Sequence, residues 1–139
     1  MFAQYDYSLY ESESIVKVTL SSYIENDMDF DIFLLKWLEL YNNKKTFIFI
    51  FDTSDVGYIP LKYSLRMSIF IKNLKKQDFQ YLQKSIILVN SNIVKYMLDF
   101  IFMIQPPVAP VYITNDIEEI SDIINNRETS ATCILPTQS

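Results

Sequence analysis

Hydrophobic residues recur along the chain with two periods, and the switches between them mark the elements. Residues 2–11 alternate: Tyr5, Tyr7 and Leu9 share one side, and Gln4, Asp6 and Ser8 the other, the pattern of a half-buried strand. After a polar turn at residues 11–13, residues 14–24 alternate again, with Val16, Val18 and Leu20 opposite Lys17, Thr19 and Ser21. The two segments predict an antiparallel hairpin with one face on the core. From residue 28 the period becomes helical, and Phe30, Phe33, Leu34, Trp37, Leu38 and Tyr41 form one broad face. Glu25, Asn26 and Asp27 supply a cap and an acidic start. Asn42 and Asn43 supply a stop, because asparagine tolerates left-handed backbone.

Residues 45–56 are an unbroken β-branched and aromatic run that stops at the carboxylates Asp52 and Asp55. Such a run predicts a central strand buried on both faces. Pro60 suits the first turn of a second helix reaching about residue 77. Its inward face is Tyr63, Met67, Ile71 and Leu74, with Ser64 and Ser68 allowing close approach to the sheet. A second buried strand lies within residues 84–90. Ser91 or Asn92 caps a third helix over residues 93–105, which Pro106 and Pro107 end. Residues 109–114 predict a third buried strand and residues 117–126 a last helix. The order β-β-α-β-α-β-α-β-α implies an α/β fold: a mixed central sheet, an N-terminal antiparallel hairpin followed by parallel strands, covered by helices. Residues 1–126 read as a single domain. Residues 127–139, rich in Ser and Thr and without periodicity, read as a flexible tail, although residues 133–136 could dock as an extended peptide.

Composition narrows the function classes. Half of the 139 residues are apolar, enough for one proper core. The net charge of −5 argues against a nucleic-acid surface, which needs concentrated Lys and Arg. The clustered Lys72, Lys75 and Lys76 fall at a helix end, where they complement the dipole. There is one cysteine, Cys133, and no histidine. An internal disulfide, a Cys/His metal pair and the Ser-His-Asp and Cys-His mechanisms are therefore excluded within this chain. The opening residues lack a basic start, so no signal peptide is expected, and no run spans a bilayer. The expected location is cytoplasmic or intracellular. The bias towards Asn, Ile, Lys and Tyr suits an AT-rich genome, and so admits an assembly subunit of a large DNA virus, located in the virion.

Two segments resemble a known family. Phe51-Asp52-Thr53-Ser54-Asp55-Val56-Gly57-Tyr58-Ile59 resembles the strand-to-helix passage of STAS and anti-sigma-factor-antagonist domains, matching at Asp52, Ser54, Val56, Tyr58 and Ile59. The passage from Ile87 through Asn90 to the aromatic helix ending near Ile101 is similar to STAS-like and CRAL-TRIO domains. The resemblance extends to the order of elements over nearly the whole chain except the tail. It implies a small α/β regulatory or interaction domain. The serine that is phosphorylated in STAS antagonists has no counterpart, because Pro60, Leu61 and Lys62 stand there. That switch is not carried over.

Candidate chemistry is sparse. In open α/β sheets ligands gather beyond the carboxyl ends of the strands, which singles out the loop at residues 52–57. Asp52 and Asp55 could bind Mg²⁺, but a metal site usually needs a third carboxylate or a phosphate. An Asx-turn that caps loop amides is the simpler role for Asp52. The single glycine, Gly57, excludes a phosphate-cradling loop or a dinucleotide fingerprint. Ser91 reads as a plain N-cap. No catalytic or cofactor-binding residue is assigned, and no cofactor is expected. What remains is a surplus of apolar positions: Ile32 and Leu35 behind the first helix's core face, Ile69 on the second helix, and Tyr96, Phe100 and Met103 on the third. They mark either a wide core or a partner surface. The expected function is a non-catalytic, STAS-like protein-interaction module that binds a protein partner or itself. The alternative is a small-molecule or lipid binder with an apolar pocket between the sheet and the second and third helices.

Overall fold

The computed structural model describes residues 1–136. The chain runs β1 (Ala3–Asp6), α1 (Tyr10–Glu13), β2 (Ile15–Leu20), α2 (Asp27–Asn42), β3 (Phe47–Asp52), α3 (Leu61–Leu74), β4 (Leu82–Leu88), α4 (Asn92–Ile104), β5 (Val111–Thr114), α5 (Glu119–Ile124) and β6 (Thr132–Ile134). The strands form one sheet in chain order, β1-β2-β3-β4-β5-β6. The β1–β2 and β5–β6 pairs are antiparallel, and the pairs from β2 to β5 are parallel. The mixed α/β architecture expected from the periodicity is the one observed.

Because parallel strands follow one another without reversal, right-handed crossovers place α2, α3 and α4 on the same face. The core confirms this. Phe47, Phe49 and Phe51 of β3 pack with Phe33 and Trp37 of α2, Tyr63 and Leu74 of α3, and Val94 and Leu98 of α4. The opposite face holds a smaller cluster, Ile15, Ile48, Ile50 and Ile86, covered by Ile123 of the six-residue α5. β3 is thus buried on both faces, as its sequence requires, but the two coverings are unequal.

Local chemistry explains the boundaries. The Asn26 side chain accepts from the Asp29 amide at 2.9 Å and caps α2. The Ser91 hydroxyl accepts from the Ile93 amide at 3.1 Å and caps α4. Asn42 and Asn43 do end α2, but the left-handed residue is Lys44, with φ 51°. A side chain there pays the Cβ penalty of that region, which glycine avoids. Lys44→Gly is expected to raise stability by about 0.5–1 kcal/mol, visible as a higher denaturant midpoint at unchanged slope. Ser68 serves a different neighbour from the one expected: its hydroxyl lies 3.3 Å from the Ile101 carbonyl, so it lets α4 approach rather than the sheet.

Two elements go beyond the predicted order. The polar turn after β1 contains the one-turn α1. The stretch read as a tail contributes β6, with Tyr112 opposite Cys133 in the sheet register. Residues 137–139 of that stretch lie outside the described residues.

Candidate functional site

The loop beyond β3 is built from within. Asp52 Oδ1 accepts from the Ser54 amide at 2.9 Å, forming the Asx-turn. Buried Thr53 anchors the loop: its amide and its hydroxyl both donate to the Leu88 carbonyl, at 3.1 and 2.7 Å. Gly57 donates to the Ser22 carbonyl at 3.0 Å, and a Cβ there would stand only 3.4 Å from that oxygen. Tyr58 is exposed. Among the described residues no three carboxylate or thiol side chains converge as a metal would require. Asp52 therefore engages its own loop, and neither Asp116 nor Glu118 joins it and Asp55 in a metal-binding group.

A polar cleft of about 330 Å³ opens beyond the next two strands, between Asn90, Ser91 and Lys95 on one side and Thr114, Glu119 and Ser130 on the other. Three of its groups, Thr114, Glu119 and Ser130, are committed to each other. Thr114 donates to Glu119 Oε2 at 2.6 Å and accepts from the Asp116 amide at 3.0 Å. The Ser130 hydroxyl and amide both donate to Glu119 Oε1. These bonds, the Ser130 hydroxyl foremost, hold the Glu119 carboxyl below its usual value of 4.5. Its contribution is fully present above that value and is lost as the pH falls through the depressed one. Acidification should then release Ser130 and loosen β6. The check is amide exchange: protection at Thr132–Ile134, corrected for intrinsic rate, should fall as the pH drops below 4.5 while that of β3 holds.

The helix layer carries the two most distinctive surfaces. Inside it, between the sheet and α2, α3 and α4, lies an apolar cavity of about 110 Å³. Phe33, Trp37 and Phe51 line one part, and Met67, Met97, Leu98 and Ile101 another. None of the surrounding residues carries a charge. Thr53, Tyr63, Ser64 and Ser85 supply the lining hydroxyls. Two of these are already engaged, Thr53 with Leu88 and Tyr63 with Asp27 Oδ1 at 2.8 Å.

Outside the layer, α3 has two unlike sides. Lys62 and Arg66 face α2, where they pair with Asp27 (3.2 Å) and Asp31. The Tyr63 hydroxyl, more than Lys62, holds the Asp27 carboxyl below its usual range. Leu61, Leu65 and Ile69, spaced four apart, form an exposed stripe flanking Ser68, the residue that meets α4. On α4, Ile93, Tyr96, half-buried Phe100, Met103 and Ile104 form a second stripe, with Asp99 beside Tyr96 and Met103 at its outer margin and Lys95 on the side away from Ile93. Tyr96 is 70% and Met103 75% exposed. Helical spacing brings the two stripes to the outer seam between α3 and α4.

Of the apolar residues singled out in sequence, Ile69, Tyr96, Phe100 and Met103 come together along this seam. Leu35 is exposed on the separate outer surface of α2, and Ile32 is half-buried. Leu61, Leu65, Ile93 and Ile104 belong to the same surface and were not singled out. The signal for Leu61 and Leu65 is the four-residue spacing that they share with Ile69.

Comparison with protein-family models, curated proteins and solved structures finds no match to the chain. Among the described residues no helix is long and apolar enough to cross a membrane.

Proposed function

We propose that the chain is a non-catalytic interaction module of the STAS-like type that pairs with a second copy of itself through the outer seam of α3 and α4. The observation that carries this reading is the pair of exposed apolar stripes at that seam. Contiguous apolar surface of this kind favours association, since covering it removes it from water. Self-pairing is favoured over a different partner because Lys72, beside Ile69 on α3, and Asp99, beside Tyr96 on α4, flank the apolar stripes with opposite charges. A twofold contact sets each patch against its own copy and so can bring the two signs together. The order of elements and the mixed sheet support the STAS-like type, and the self-contained Asx-turn at Asp52 supports a role without catalysis.

Light scattering over a concentration series tests the reading. The wild-type chain should shift from monomer to dimer. Tyr96→Lys and Ile69→Lys should each weaken that equilibrium by at least about tenfold, or 1.4 kcal/mol. Both positions are exposed, so the melting temperature measured on dilute monomer should move little. A wild-type chain that stays monomeric at its highest soluble concentration overturns the self-pairing.

A further inference from the structure

The apolar cavity points to a function that the seam does not require. Protein interiors are close-packed, and voids larger than a water molecule are few. Here a partly open pocket of about 110 Å³ lies within the helix layer, between the sheet and all three crossover helices. Its walls are mainly aliphatic, aromatic and thioether groups, interrupted by four hydroxyls and by Trp37, whose Nε1–H is buried without a partner among the described residues. Water gains little in such a place, because it needs two to four polar partners and the available hydroxyls are partly spent. Dry apolar cavities of about 150 Å³ take up a single aromatic ring.

We propose that this cavity is a binding site for a compact, uncharged apolar molecule, of the size of one six-membered ring with a short substituent. Three observations set the class. The absence of any charged lining residue excludes an ionised ligand from the interior, since an unpaired charge there has no compensating partner. The volume excludes a full acyl chain, which needs well over twice this space. The walls can adapt: Met67 and Met97 are unbranched and flexible, and thioether contacts with ring edges are favourable. Ser64 on α3 keeps the wall thin where a larger residue would fill the space. The site is independent of the seam, because its lining points inward while Ile69, Tyr96 and Met103 point out.

The chain contains one tryptophan, and Trp37 lines the cavity, so it reports on occupancy directly. Toluene titrated into the intact chain should change Trp37 emission saturably, with a dissociation constant of about 1 mM or tighter. It should also raise the melting temperature. Ala109→Leu, which adds volume at a lining position, should weaken toluene binding at least about tenfold. Leu98→Ala enlarges the same space and keeps the test informative if the filled variant does not fold. It should gain binding of naphthalene, which the wild type excludes. A wild-type chain that responds to toluene only linearly, with no rise in melting temperature, overturns the proposal. So does a chain that binds dodecanoate in preference to toluene, since that requires an open channel for a charged acyl chain. Equal toluene binding by Ala109→Leu also overturns it, because the ligand then sits elsewhere.

Discussion

Phe49→Ala should cost about 3–5 kcal/mol, the upper range for a buried aromatic truncated to alanine. Phe49 lies on the central strand with no exposed surface. Its ring meets Trp37 edge-on at 4.8 Å, Phe47 at 5.1 Å and Phe51 at 4.7 Å. Edge-on and tilted contacts of this kind add to the burial itself. No neighbour can collapse into the space, because each is pinned by its own strand or helix. Against a total stability of about 5–15 kcal/mol, the loss removes at least about a fifth of the margin. Equilibrium denaturation measures it, with Tyr58→Ala as the exposed control, expected within about 0.5 kcal/mol of wild type. A loss below about 2 kcal/mol at Phe49 contradicts the central place given to β3.

Asp29→Ala should follow, at about 2–3 kcal/mol, for a different reason. Asp29 is a buried carboxylate in the first turn of α2. Its Oδ1 accepts from the Phe2 amide at 2.8 Å, and its Oδ2 from the Glu25 amide at 3.4 Å. The residue thus ties the start of β1 to the start of α2. Removing it leaves the buried Phe2 amide without an acceptor, and such a group costs its full desolvation. The negative charge also favours the positive end of the helix. Asp29→Asn should recover only part of the loss, since one of its two side-chain positions becomes a donor facing a donor. The signature beyond stability is local: amide exchange at β1 should accelerate more than at β4.

The elements legible in the sequence are those whose pattern is longer than their uncertainty. α2 and α4 show several turns of apolar spacing with a capping side chain at the start, and β3 is a continuous run of large residues. α2 and α4 lie where the pattern places them, within a residue, whereas β3 starts two residues inside its run and ends at Asp52, four short of the run's last residue. α1 is a single turn and leaves no period to read. β6 is three residues within a Ser/Thr-rich stretch; it exists because β5 offers an edge and Glu119 holds Ser130. Both causes are tertiary. The left-handed stop at Lys44 was hidden for the same reason, as asparagine is the residue that usually announces it. On the surface, half of the seam was visible. Ile69, Tyr96, Phe100 and Met103 stand out as surplus, whereas Leu61 and Leu65 sit next to Lys62 and Arg66 on a helix whose strongest apolar spacing is the inward face of Tyr63, Met67, Ile71 and Leu74. The cavity leaves no trace in the sequence, since it depends on how three helices fail to fill the space between them.

The sequential order of the strands has a consequence for how the chain acquires its structure. Every neighbouring pair in the sheet joins strands consecutive in the sequence. No strand waits for a distant partner, and each crossover closes over a single intervening helix. Such a layout keeps the separation between contacting segments short, which favours fast folding. It also permits growth in one direction. As the chain leaves the ribosome, β1 and β2 can pair, then β3, β4 and β5 can each add to the edge just formed, with their helices laid down on the same side. β6 then turns back and closes the β5 edge in the antiparallel sense.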